Sequence, residues 1–149
     1  MNLTDLKYSN YALVQEMMQT VETVEKFNPE QTKNVAKTIS NKGRLFLTGE
    51  GSSRIFPAKN AIRKALTWGA DLAISTDGSR QSSQYDLSKF SVFCASNSGR
   101  TKEVVLLAKK MKEIGNADCF GLSANPDTLL EKECAKTWVL NCGWEQAVA

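Results

Sequence analysis

Ser96, Asn97, Ser98 and Thr101 gather four hydrogen-bonding side chains around Gly99, in the run Ser96-Asn97-Ser98-Gly99-Arg100-Thr101-Lys102-Glu103. The run follows the apolar stretch 90–95 (FSVFCA) and precedes a helical pattern over 104–111 (VVLLAKKM). A strand therefore ends in hydroxyl- and glycine-rich sequence that opens a helix. First-turn amides of a helix have no partner within it and carry partial positive charge. Small side chains let an anion reach those amides, and Ser and Thr hydroxyls add donors. The chemistry that fits is the cradling of a phosphate. The plainer alternative is a capped turn, with Ser98 or Thr101 satisfying the helix N-terminus. Two serines, an asparagine and a glycine exceed what a cap requires.

Other residues are weaker candidates. Gly49-x-Gly51 suggests a dinucleotide fingerprint, but position 54 is Arg54 where a third glycine would stand, and no Walker lysine pattern follows. Arg100 lies in a first helical turn, where a cation opposes the macrodipole unless an anion is near; a solvated surface arginine is the plainer reading. Glu50 is placed for acid–base chemistry, although a strand-end carboxylate more often stabilises its own loop. Met17-Met18 reads as core or interface packing. The chain has no histidine, which removes a Ser-His-Asp hydrolase, a His-ligated metal and a histidine base from its own repertoire.

The elements that must position these residues follow from hydrophobic period. Tyr11, Val14, Met17, Met18, Val21 and Val24 recur at helical spacing from Tyr8 to about Phe27. Asn28-Pro29 breaks that helix. A second helix runs from about Pro29 to Ser40, with Gly43 suited to its C-terminal cap. Thereafter short apolar runs alternate with amphipathic helices. Strands are predicted at 44–48, 71–75, 91–95, 119–123 and 137–141, and helices near 54–68, 101–114 and 128–134, with a helical turn around 81–85. Apolar strands alternating with helices imply a five-stranded parallel sheet covered on both faces, a three-layer α/β/α sandwich preceded by two N-terminal helices. Ligands of such sheets bind beyond the carboxyl ends of the strands, where the strand order reverses. The loops after the first, third and fourth strands, Gly-Ser-Ser, Ser-Asn-Ser-Gly and Ser-Ala-Asn-Pro, would share that rim.

Composition limits the rest. The 149 residues, 42% apolar and 23% charged, describe one globular unit with a net charge of +3 from interspersed Lys and Arg. That balance is mild help for an anionic metabolite and no nucleic-acid footprint. The cysteines Cys94, Cys119, Cys134 and Cys142 have no CxxC spacing, so structural zinc is not expected and a reduced, cytoplasmic compartment fits best. No apolar run reaches membrane-spanning length. The last residues, 142–149 (CGWEQAVA), read as the start of another helix that stops without a polar tail, as in a chain cut from a longer one.

Over about Lys33 to Ala149 the sequence resembles the sugar isomerase (SIS) domain. The resemblance rests on Gly51-Ser52-Ser53 after strand one, Ser96-Asn97-Ser98-Gly99-x-Thr101 after strand three, and the succession of βα units. The ending Gly143-x-Glu145-x-x-Val148-Ala149 is similar to the segment closing the first of two tandem SIS domains, as in the isomerase half of glucosamine-6-phosphate synthase and related amino-sugar-phosphate isomerases and deglycases. The resemblance implies a flavodoxin-like domain over 43–149, with 1–42 as a helical segment mediating dimerisation. It implies a hexose or amino-hexose 6-phosphate ligand held by Ser53, Ser96, Asn97, Ser98 and Thr101, with Ser52 and the backbone around Ala124 as lesser sugar contacts. Asn97 replaces the glutamine, and Arg100 the glutamate, often seen in the family. Catalytic residues do not carry over: the family places a glutamate base and a lysine in the second SIS domain and takes a histidine from a neighbouring subunit. Lys59 and Arg63 are no convincing substitute. The implied activity is aldose–ketose isomerisation, with or without loss or transfer of nitrogen, and without metal or organic cofactor. A non-catalytic sugar-phosphate sensor is the alternative, although about forty N-terminal residues are too few for a helix-turn-helix domain. A complete single-domain isomerase of the arabinose-5-phosphate type is a third.

Overall fold

The computed structural model of the protein describes residues 5–146. Short helix α1 (Leu6–Ser9) leads into α2 (Ala12–Lys26). The break predicted at Asn28-Pro29 is a 3₁₀ turn over Pro29–Thr32, where the Asn28 side chain accepts from the Glu30 amide at 3.0 Å. Helix α3 (Lys33–Lys42) then ends on Gly43 at φ +68°, the left-handed cap that glycine provides without strain. Five βα units follow: β1 (Arg44–Gly49), α4 (Ser52–Trp68), β2 (Ala73–Gly78), α5 (Ser79–Ser82), β3 (Ser91–Ala95), α6 (Lys102–Glu113), β4 (Cys119–Ser123), α7 (Leu129–Glu133) and β5 (Lys136–Val139).

The strands form one parallel sheet in the order β2-β1-β3-β4-β5. The chain steps outward from β1 to β2, then back across β1 to β3, so the reversal lies between β1 and β3. Right-handed crossovers in opposite directions put α4 on one face and α5, α6 and α7 on the other. The α6–α7 face packs Phe46, Val92, Cys94 and Cys119 against Val104, Leu107, Ala108, Met111 and Leu130, all buried. The other face packs Phe120 and Trp138 against Val35 of α3, with Phe93 stacked on Trp138 at 5.9 Å. A Lys42–Asp118 ion pair, three-quarters buried on both sides, ties the end of α3 to the entry of β4.

The α/β/α sandwich expected from the alternation of apolar runs is thus present, with β3 and β4 at their predicted limits. Strand β2 begins two residues later than expected and runs on to Gly78. Gly69 at φ +63° closes α4 and leaves Asp71 and Leu72 in the connection, while the Thr76 hydroxyl donates to the Leu47 carbonyl at 2.8 Å and extends the pairing. No helix starts over 142–146; this segment is irregular and is held by Asn125, whose side-chain amide donates to the Gly143 carbonyl at 3.0 Å. Residues 147–149 lie outside those described. The helix over Met17 and Met18 forms, but both side chains are about half exposed, which removes the core reading of that pair. Among the described residues no helix is long and apolar enough to cross a membrane.

Where β1 and β3 end side by side, Gly49 pairs with Ala95. A Cβ on Gly49 would stand 2.7 Å from the Ala95 carbonyl oxygen, a backbone atom that cannot swing aside. Gly49→Ala should therefore destabilise the chain by about 1–3 kcal/mol, the usual cost of overpacking. Urea unfolding would read this as a lowered midpoint at unchanged slope.

Candidate anion-binding site at the strand-order reversal

The loops leaving β1 and β3 diverge to opposite faces and leave a crevice at their carboxyl ends. A cavity of about 400 Å³ lies there, lined by Glu50, Gly51, Ser52, Ser53, Asn97, Ser98, Thr101, Trp144 and Glu145. Of the residues singled out from sequence, Ser52, Ser53, Asn97, Ser98 and Thr101 meet in this one space, from loops more than forty positions apart.

Both helices that open on the cavity lack side-chain caps. Gly51 is the N-cap of α4, at φ +54°, and has no side chain to offer its amides. Thr101 is the N-cap of α6 yet makes no cap bond; its hydroxyl pairs instead with the Ser96 hydroxyl at 2.8 Å. Ser98 Oγ accepts from the Arg100 amide at 3.2 Å, a local turn bond outside α6. The capped-turn alternative is thus not realised by Ser98 or Thr101. The contrast is α7, whose N-terminus carries a full capping box between Thr128 and Glu131. Two helices of 17 and 12 residues therefore present first-turn amides and partial positive charge to one cavity without side-chain neutralisation.

The 96–101 turn is fixed from behind by the β4–α7 connection. The Ser96 amide donates to the Leu122 carbonyl at 3.0 Å, the Ala124 amide to the Asn97 carbonyl at 2.9 Å, and the Leu130 amide to the Gly99 carbonyl at 3.0 Å. Three backbone bonds hold the turn, and two of them occupy carbonyls of the turn itself. These contacts revise two expectations. Ser96 is 3% exposed and sits behind Thr101, outside the cavity lining, where its hydroxyl orients that of Thr101. Ala124 is buried, its amide bonded to Asn97 and its carbonyl to the Cys142 amide, so its backbone serves the turn and has no group free for a sugar.

Glu50 takes the loop role: its Oε1 accepts from the Ser79 amide at 2.9 Å, at the start of α5. Nearby Asp77 accepts from the Tyr85 hydroxyl at 2.6 Å and from the Gly78 amide at 2.7 Å. These bonds, and the Arg54 guanidinium, hold its carboxyl below the usual range, and the bond to Asp77 raises the Tyr85 phenol. Arg100 is exposed and stands over the Trp144 ring at 4.8 Å from its centroid. Trp144 and Glu145 were not legible as lining residues, because they sit in irregular chain with no period to place them. The only signal was Glu145 within the Gly143-x-Glu145 ending. Neither Lys59 nor Arg63 lines the cavity. Among the described residues no group of three or more His, Cys, Asp or Glu side chains is placed to hold a metal.

Gly99 closes the turn at φ +60°, and a Cβ there would collide with the Thr128 side chain. Gly99→Ala meets both the left-handed backbone penalty, about 1–2 kcal/mol, and overpacking, about 1–3 kcal/mol. A loss of roughly 2–4 kcal/mol in denaturant unfolding is the expected result, with tryptophan fluorescence shifted as Trp144 and Arg100 separate.

No family model and no curated protein sequence matches the chain. Solved structures do. The chain is similar to Escherichia coli CFT073 protein c3406 in complex with arabinose 5-phosphate, at 24% identity and a TM-score of 0.70, over 94% of this chain and 75% of that one. It is similar to the Vibrio vulnificus NanR protein complexed with ManNAc-6P, at 15% identity and a TM-score of 0.65, over 91% of this chain and 53% of that one. It is also similar to the C-terminal domain of glucosamine-fructose-6-phosphate aminotransferase from Francisella tularensis, at 16% identity and a TM-score of 0.63, over 91% of this chain and 41% of that one. At these identities what is shared is the fold, and the chain has the sugar isomerase (SIS) domain fold.

Proposed function

We propose that the chain binds a sugar phosphate, with the phosphate seated between the N-termini of α4 and α6. The observation that carries this reading is the pair of helix N-termini without side-chain caps facing one cavity lined by Ser52, Ser53, Ser98 and Thr101. The fold likeness adds support, since two of the similar structures are described with arabinose 5-phosphate and with ManNAc-6P. In this reading the first-turn amides and the Ser53, Ser98 and Thr101 hydroxyls donate to phosphate oxygens. Asn97 adds a side-chain amide, and Ser96 acts through Thr101. Hydrogen bonds to a charged acceptor contribute about 1.5–3 kcal/mol each.

The wider role follows from what the cavity lacks. Its carboxylates are Glu50, already bonded to Ser79, and the exposed Glu145, and the sequence has no histidine. We infer that residues 43–149 act as the phosphate-holding half of a cytoplasmic aldose–ketose isomerase for a hexose or amino-hexose 6-phosphate. The base that moves a proton between C1 and C2 then comes from a second domain or subunit. Remote binding energy from the phosphate orients the reacting carbons, and the isolated chain does not turn over. The 1–42 segment serves association: Met17, Met18, Val21 and Val24 leave an apolar stripe along α2 exposed. A sensing module without catalysis is the second reading, favoured by the likeness to NanR. Isomerase turnover by the chain joined to its missing half would exclude it.

Calorimetric titration with glucosamine 6-phosphate, fructose 6-phosphate and unphosphorylated glucosamine tests the site. Binding is expected for the phosphorylated sugars alone. Ser98→Ala with Thr101→Ala should weaken it at least tenfold, or about 1.4 kcal/mol; unchanged affinity would sink the assignment. Light scattering at increasing concentration should give the mass of a dimer, and Val21→Glu should return the mass to that of a monomer.

A further inference from the structure

On the sheet face covered by α6 and α7, away from the anion cavity, three of the four cysteines converge. Cys94 of β3 and Cys119 of β4 are fully buried, and Cys134, just after α7, packs against them half-buried. Gly121 makes room for this. It pairs with Cys94 across the sheet, and a Cβ on it would lie 3.1 Å from Cys134 Sγ. Cys119 and Cys134 place their sulfurs 4.0 Å apart. The Ala135 amide donates to the Cys119 carbonyl at 2.8 Å, which seats the two cysteine backbones on neighbouring chain segments. Side-chain rotation over the space left by Gly121 can close the sulfurs to the roughly 2.05 Å of a disulfide.

The pair is also reachable. A cavity of about 350 Å³ is lined by both Cys119 and Cys134, with Lys112, Lys132 and Glu133 at its edge. We propose that Cys134 and Cys119 form a thiol pair that a hydroperoxide oxidises to a disulfide, Cys134 reacting first and Cys119 resolving. Its exposure selects Cys134 as the first to react. The Cys119 and Cys94 thiols donate to its sulfur and hold its thiol below the ordinary value, while the partnership and burial raise that of Cys94. The Cys134 thiolate attacks the peroxide O–O bond, an S–O bond forms, and the departing hydroxide takes a proton to become water. The Cys119 sulfur then displaces the hydroxyl from Cys134. The S–O bond breaks as the S–S bond forms, and the second water leaves with the Cys119 proton. Two thiols are oxidised, and one peroxide is reduced to two waters.

The test is a peptide mass map of the full chain after one equivalent of hydrogen peroxide, with remaining thiols alkylated under denaturing conditions. The expected product is a Cys119–Cys134 linked peptide two hydrogens lighter than the reduced pair, removed by dithiothreitol, with Cys94 and Cys142 recovered alkylated. Cys142, half-buried beside the other end of the sheet, serves as the internal reference, and Cys134 should be consumed at least tenfold faster. In Cys119→Ser, dimedone should label Cys134, because the resolving thiol is gone. Oxidation of Cys142 ahead of Cys134, or a wild-type map in which Cys119 and Cys134 both stay alkylated, overturns the proposal without recourse to any variant.

Discussion

The close approach of β1 and β3 at their carboxyl ends is the constraint on which the site depends. These neighbours are separated in sequence by the whole of α4, β2 and α5, and their pairing brings Gly49 against Ala95 with no room for a side chain. From that point the chain leaves β1 toward one face and β3 toward the other. The crevice between the departing loops is therefore a consequence of strand order, not of any one side chain. Both helices leaving it start with their axes aimed outward from the same edge, so their positive ends add. An anion there meets two macrodipoles at once, each equivalent to about half a charge.

Rigidity comes from the next strand along. The 96–101 turn would be a flexible glycine loop if it stood alone. Its carbonyls are instead bonded to the Ala124 and Leu130 amides, and Gly99 fits against Thr128 at the head of α7. Helix α7 is only five residues long and spends its capping box on itself. It is thereby a fixed wall and not a second anion site. The division is physical: turn carbonyls are satisfied toward the protein, which leaves amides and hydroxyls for the cavity.

The strand and helix succession was legible because buried parallel strands read as unbroken apolar runs between helical periods. Residues 91–95 and 119–123 are central strands and matched their expected limits, whereas β2 is an edge strand whose end depends on Thr76 finding the Leu47 carbonyl. The donor cluster at 96–101 was legible from residue type and spacing. That Ser96 would turn inward to Thr101 was not, since the two hydroxyls are five positions apart and only the folded turn brings them together. Trp144 and Glu145 were illegible for a different reason. They reach the cavity through tertiary bonds from Asn125 and Ala124 to irregular chain, which leave no periodic trace.

The same cavity holds charge of both signs, and this orients whatever binds. Helix N-termini and hydroxyls lie on the α4 and α6 side, while the carboxylates of Glu50 and Glu145 line the wall as well. A phosphate dianion beside a carboxylate is disfavoured, so under the proposed reading the phosphate moves to the amides and the carboxylates face the sugar. There a carboxylate accepts from sugar hydroxyls or from a protonated amine, roles that a phosphate oxygen cannot share. Glu50 is already half-committed to the Ser79 amide, which fixes its remaining oxygen in direction. Trp144, under Arg100, carries its cation on one ring face and so balances part of the acidic wall at the rim. The arrangement separates grip from reaction. The part of the ligand that is always charged meets fixed backbone dipoles that cannot titrate, and the part that must exchange protons is left toward the open side of the cavity.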